Sequence, residues 1–321
     1  MKNVLFASTA LVAFGFAGAA FAEAHSSTSI TLSGMGEIGI TSTDSDSTAP
    51  NTDGELQLHN DVDLRWALVG MTDGGISFGA NIDWDEAPDE EKASVFISGS
   101  FGTITVGDTD NAYEQAMIDI ATGGIVDEAA FYESEYDELA GTGDVSGAAA
   151  QIGRYDIAFG GTTLSLSYEN GTDYDTTSTL TDVEDVYAIG ASFAFGTVDL
   201  GIGYITQDDD ESAGISAGFD LGQAGLVIAY QDGEFGGFDG QNIQGSVTVD
   251  FGGGTLGANY VVSEQDDAVG TNDQTAYGLF YNYSLGGGAT FTAAAGYEEL
   301  DTSAGVTEED TRFGAGISMA F

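Results

Sequence analysis

Tyr187-Ala-Ile-Gly-Ala-Ser-Phe-Ala-Phe195 runs into Gly196-Thr197 and returns as Val198-Asp-Leu-Gly-Ile-Gly-Tyr204. In the first arm Tyr187, Ile189, Ala191, Phe193 and Phe195 share one parity. In the second Val198, Leu200, Ile202 and Tyr204 do the same, with Asp199 on the other parity. A side-chain period of two places the first set on one face of a strand. Gly196 between the arms reads as a tight hairpin turn. The hairpin is bounded by Tyr where it leaves acidic sequence and by Phe where it turns.

The same pattern extends along the chain in both directions. Earlier runs are Ile30, Leu32, Ile38 and Ile40; Leu56, Leu58, Val62, Leu64, Trp66 and Leu68; and Ile76, Phe78, Ala80, Ile82 and Trp84. Later ones include Leu164, Leu166 and Tyr168, and the final Phe313, Ala315, Ile317, Met319 and Phe321. The opposite parity carries Asp61, Asp63, Arg65, Asn81, Asp83, Arg154, Asp156, Ser165 and Ser167. The apolar face mixes Ala and Gly with Leu, Ile and Val. That suits lipid better than the bulky core between two stacked sheets. Short Gly-rich turns fall at 72–75, 100–102, 160–162, 196, 222–225, 252–254 and 286–288. Acidic stretches at 41–54, 85–91, 108–150, 170–185, 207–211, 232–240, 263–273 and 298–309 alternate with them and read as long loops. Seven turns and eight loops make fifteen connections, hence sixteen strands. Short turns on one rim and long loops on the other are the layout of a closed antiparallel transmembrane β-barrel. Tyr168, Tyr204, Tyr230, Tyr260 and Tyr297 lead into acidic loops. Phe101, Phe159, Phe195, Phe219, Phe251 and Phe321 lead into turns or the chain end, and Tyr283 departs from the rule. Two aromatic rows are the expected interface girdles.

Composition narrows the function. The chain has 321 residues, 5 Lys+Arg against 53 Asp+Glu, no Cys, 48 Gly and 2 Pro. A formal net charge of −48 excludes a nucleic-acid partner, which needs a basic footprint. It also repels anionic headgroups unless divalent ions bridge the two, and it equally fits a saline habitat. Residues 1–22 read as a cleaved signal peptide: Lys2, an apolar run, and a small-x-small site ending at Ala22. The barrel domain then spans 23–321. No later segment approaches the roughly 20 apolar residues of a membrane helix. His25 and His59 are the only histidines, which speaks against an enzyme and against zinc. Weak calcium binding in acidic loops (Asp44 and Asp46, 208–211, 308–310) is the one cofactor expectation, with no EF-hand among them. The rival readings are a secreted or surface acidic β-protein binding calcium or a partner through its loops, and an outer-membrane barrel enzyme.

Four stretches carry a family resemblance: Ile30-Thr-Leu-Ser-Gly-Met-Gly-Glu37, Thr72-Asp-Gly-Gly-Ile-Ser-Phe-Gly-Ala80, Phe96-Ile-Ser-Gly-Ser-Phe-Gly-Thr-Ile-Thr-Val-Gly-Asp108, and Tyr277-Gly-Leu-Phe-Tyr-Asn-Tyr-Ser-Leu-Gly-Gly-Gly-Ala289. The chain resembles the trimeric general porins of Gram-negative bacteria, alphaproteobacterial type. The resemblance implies a sixteen-stranded homotrimeric outer-membrane pore for passive diffusion, set in outer-membrane lipid and lipopolysaccharide. It implies that the terminal Phe321 is read by the barrel-assembly machinery, and that the third loop folds into the lumen. That loop is 108–150, with Asp108, Asp110, Glu114, Asp119, Asp127 and Glu128 among its acids and no Lys or Arg. An apolar thread (Ala112, Tyr113, Met117, Ile118, Ile120, Ile125, Val126, Phe131) marks the part expected to pack on the wall. The resemblance also implies an Arg cluster on the wall opposite. Here Asp61 and Asp63 stand at inward parity, leaving Arg65 and Arg154 as the basic wall residues. Acid on both sides of a narrow channel predicts a preference for cations.

Overall fold

The computed structural model describes residues 28–45, 54–84, 91–123, 151–170 and 184–321, apart from the side chains of 91, 92 and 235. The expected signal peptide lies outside them. The described residues form sixteen strands: β1 Ser29–Ser45, β2 Gln57–Met71, β3 Ser77–Trp84, β4 Glu91–Gly99, β5 Gly102–Gly107, β6 Ile152–Phe159, β7 Thr162–Glu169 and β8 Val186–Phe195. There follow β9 Val198–Gln207, β10 Asp210–Asp220, β11 Ala224–Phe235, β12 Phe238–Phe251, β13 Gly254–Asp266, β14 Thr271–Gly286, β15 Ala289–Asp301 and β16 Thr307–Ala320. Each strand pairs antiparallel with its sequence neighbours, and β1 also pairs with β16, so the sheet closes. Closure leaves no edge of unsatisfied backbone groups, the condition for a sheet in lipid.

Parity decides the two faces as expected. Ile189 and Leu166 are each 52% exposed on the outside, while Ser165 on the inside is 2% exposed. Several of the hairpin turns need glycine for backbone reasons. Gly160 and Gly161 both have positive φ (59° and 84°) between β6 and β7, as a two-residue turn matched to strand twist requires. At the seam, the Phe321 amide donates to the Gly34 carbonyl (2.9 Å) and the Gly34 amide to the Phe321 carbonyl (3.3 Å), so the terminal residue takes part in closing the ring.

The acidic stretches correct one expectation. Those at 207–211, 232–240, 263–273 and 298–309 are mostly wall, not long loops. β11 and β12 continue to a two-residue turn at 236–237, with Asp232 opposite Gln241 and Glu234 opposite Asp239. β13 to β14 and β15 to β16 are joined by short turns of four and five residues, at 267–270 and 302–306. Beyond the membrane both faces of a strand meet water, so charge does not end the ladder. The Tyr row accordingly lies inside the strands: Tyr260 faces Tyr277, and Tyr277 faces Tyr297. From Tyr187 to Phe195 along β8 is roughly 26 Å of strand at ~3.3 Å per residue. With a tilt of about 40° that is about 20 Å of height, close to the ~25 Å apolar band of outer-membrane barrels. The wall is low over β3–β7, at six to nine residues per strand, and tall over β11–β16, at twelve to sixteen.

Candidate pore constriction

The segment after β5 turns inward and crosses the inner wall over 108–123. Asn111 shapes its first bend: its Oδ1 accepts from the Tyr113 and Glu114 amides (2.8 and 3.1 Å), and Glu114 Oε2 accepts from the Asn111 amide (3.0 Å). Of the donors of the short 3-10 turn Glu114–Ala116, the Glu114 amide goes to the Asn111 side chain, and the Gln115 and Ala116 amides go to the Asn111 and Tyr113 carbonyls (3.0 and 3.1 Å). Wall hydroxyls then accept the segment's amides one after another: Ala112 to Ser167 (2.9 Å), Ile118 to Ser216 (2.9 Å) and Ala121 to Ser246 (2.8 Å). Asn259 Nδ2 donates to the Ala121 carbonyl (3.2 Å). The segment thus spans from β7 to β13. Its apolar thread is buried against the wall: Ala112, Tyr113 and Met117 with Val186, Ala188, Ile205 and Ala229, then Ile118 and Ile120 with Val227, Val261 and Ala276. A polar wall with hydroxyls at these points and small apolar residues between them thus gives acceptors to three amides of the segment that turns inward.

Of the six acidic loop residues expected at the constriction, Asp127 and Glu128 lie outside the described residues, as do Ile125, Val126 and Phe131 of the thread. Asp110 and Asp119 are exposed to the lumen, Asp108 is half-buried, and Glu114 is half-buried and spent on capping. All four wall residues expected at inward parity are there. Arg65 makes a two-point ion pair with Asp83, one bond of which is 3.1 Å, and Asp61 and Asp63 lie on the same face of β2. Arg154 is 8% exposed; its Nε donates to Asp156 (3.0 Å) and its Nη1 to the Asp110 carbonyl (2.6 Å), tying the loop to β6. Asp156 also accepts from Ser165 (2.7 Å). Arg154 is therefore a strut of the loop as well as a wall charge.

Arg312 and Gln274 escaped the sequence reading. Arg312 pairs with Asp310 (2.9 Å) and Glu298 (3.6 Å) on the inner face, and Gln274 donates to Glu298 (2.8 Å). His59 meets Glu37 at 3.4 Å in the lumen. Arg312 sits one parity off Phe313 and Ala315, the signal that would have found it. Among the described residues, no group of three or more His, Cys, Asp or Glu is arranged to hold a metal. In the stretch 208–211, Asp210 accepts from the Gly236 amide and Glu211 from the Tyr204 hydroxyl, so both carboxylates brace the wall.

A closed barrel, an apolar outside, a charged inside and a segment laid along the inner wall are the parts of a channel. The chain matches the Gram-negative porin family over residues 7–303. It belongs to that family. It is 27% identical over 279 residues to the porin of Rhodobacter capsulatus, covering 78% of this chain and 91% of that one. Solved porins share the fold. One refined at 1.8 Å aligns with a TM-score of 0.67 at 23% identity, covering 91% of this chain and all of the other. The anion-selective porin from Comamonas acidovorans aligns at 0.71 and 16% identity, covering 92% of this chain and all of that one. The Rhodopseudomonas blastica porin (a triple mutant) aligns at 0.58 and 21% identity, covering 91% and all. This porin is an outer-membrane channel for passive diffusion and not an enzyme, and the readings as a secreted or surface acidic β-protein or as an outer-membrane barrel enzyme fall away.

Proposed function

We propose that this porin passes small hydrophilic solutes with a preference for cations. One observation carries the reading: each of the three described arginines of the lumen is held by a carboxylate, Arg65 by Asp83, Arg154 by Asp156 and Arg312 by Asp310. Their charge is cancelled locally, while Glu37, Asp61, Asp63, Asp110 and Asp119 add negative charge to the same lumen. Low-dielectric walls focus that potential on the pore axis. An anion-selective relative shares the fold, so the sign of selectivity resides in these side chains and not in the barrel. Reversal potentials across bilayers in a KCl gradient test it. The expected sign is that of cation passage, and an anionic sign removes the proposal.

The assembly we infer is a homotrimer, supported by family membership, and chemical crosslinking of outer-membrane fractions should trap three chains. Removal of 1–22 on export, contact with lipopolysaccharide, and use of Phe321 by the assembly machinery complete the reading. The position of Phe321 at the barrel seam supports the last of these. Calcium in the acidic loops stays outside this proposal.

A further inference from the structure

We propose that a glycine furrow across β8, β9 and β10 sets where the constriction segment lies, and so how wide the pore is. This rests on reading 108–123 as the constriction. Gly190, Gly203 and Gly214 are direct cross-strand neighbours, forming one lateral row on the inner wall. Gly201 lies next to the row on β9, opposite Ser216. None of the four has positive φ, so glycine is not there for backbone conformation. It is there for space. A Cβ at Gly190 would overlap the Ala112 carbonyl oxygen and come within 2.6 Å of Ala116 Cβ. One at Gly203 would stand 2.5 Å from Tyr113 Cδ2, one at Gly214 would overlap the Tyr113 hydroxyl oxygen, and one at Gly201 would overlap the Ala116 carbonyl oxygen. Glycine inside a strand commonly marks such a close approach of another backbone.

The Tyr113 ring therefore lies across the furrow, fully buried. The furrow sinks the segment into the wall by one side-chain layer and keeps that volume out of the lumen. It is local: a Cβ at Gly218, on the same face of β10, would meet Ile118 at an ordinary 3.7 Å. Ser167 and Ser216, on β7 and β10, accept amides from either end of the seated stretch. The furrow fixes depth and the hydroxyls fix register.

The test uses the full-length porin purified from outer membranes, with heat-modifiable migration showing that the barrel has folded. Gly203→Ala and Gly214→Ala are compared with Gly218→Ala by single-channel conductance and by proteolysis within 108–123. The furrow variants should lose the single wild-type conductance level for a shifted or split one and be cleaved faster, with Gly218→Ala at wild-type values. Furrow variants that conduct and resist protease like wild type overturn the proposal. Should they fail to fold, Tyr113→Ala empties the furrow without touching the wall and is expected to give the same two changes; wild-type behaviour there overturns the proposal equally. Asp119→Trp separates the two layers. Asp119 is exposed between wall-packed Ile118 and Ile120, so Trp there narrows a true constriction however it is seated. Reduced conductance in Asp119→Trp with silent glycine variants removes the furrow alone, while unchanged conductance in Asp119→Trp removes the constriction reading and the width claim with it.

Discussion

Arg154 and Arg65 carry the same charge in different surroundings, and the difference predicts different phenotypes. The Arg154 side chain is 9% exposed and holds Asp156 and the Asp110 carbonyl; Arg65 is half exposed on its pair with Asp83. Removing one partner of a buried pair leaves an uncompensated charge and costs roughly 3–5 kcal/mol. An exposed pair contributes under about 1 kcal/mol. Arg154→Met should therefore lower the thermal midpoint in detergent and speed cleavage of 108–123, while Arg65→Ala leaves both near wild type. Both remove one positive charge from the lumen, so both should move the reversal potential toward cations. A backbone test sits at Gly160, where φ is 59° and no atom lies within 4 Å of a built Cβ. With no clash to confuse the result, Gly160→Ala should cost about 1–2 kcal/mol through left-handed strain alone. Gly160→Asn should cost less, since Asn tolerates that region. Denaturant midpoints in micelles measure both.

Among the elements, the hairpin tips beyond the Tyr row show how charge builds wall. Asp267, at the β13–β14 tip, accepts from Ser303 Oγ (2.7 Å), the Val269 and Gly270 amides (2.7 and 3.0 Å) and Asn272 Nδ2 (3.2 Å). Ser303 belongs to the β15–β16 turn, and its amide donates to Asn272 Oδ1 (2.9 Å), so one carboxylate clasps two hairpins. These donors, Ser303 foremost, hold the carboxyl well below the usual carboxylate range. The sign follows from linkage. A depressed folded-state value means stability fully present above the ordinary carboxylate pKa of about 3.9 and lost only as pH falls through the lower one. Wild-type protection of 302–306 from hydrogen exchange, corrected for intrinsic rate, should therefore match at pH 7 and pH 4. Asp267→Ala should lose that protection at both, with the barrel's own midpoint unchanged.

At the scale of the whole molecule, selectivity comes from a field and not from a single binding group, and a field is screened. The Debye length falls from about 10 Å at 0.1 M salt to about 3 Å at 1 M. The cation preference should accordingly shrink toward that of bulk ions as the gradient is measured at higher mean salt. A preference independent of salt would instead point to a short-range site. The closed ring also explains why so acidic a chain holds together: the lipid-facing band is apolar, and the described carboxylates lie in the lumen and at the rims, where water and counter-ions reach them.

The parity of side chains was legible from the sequence because period two is a property of the strand itself. The hairpin 187–204 already held the strand, the turn, both girdles and the two faces. Strand number followed from the alternation of glycine turns with acidic stretches, and the inward placement of Asp61, Asp63, Arg65 and Arg154 followed from parity alone. Other features depended on contacts between distant parts of the chain. Glu234 and Asp239 look like loop residues until β11 and β12 are seen paired beyond the membrane. Arg312 stands just before the last apolar run, and its role shows only once Glu298 and Asp310 are beside it. Gly190, Gly203 and Gly214 are unremarkable until ring closure and register bring them level, with Tyr113 laid across them. Local periodicity writes the orientation of each residue into the chain, whereas depth, pairing of charges and the seat of the inner segment arise only when residues far apart in sequence come to occupy the same few ångströms.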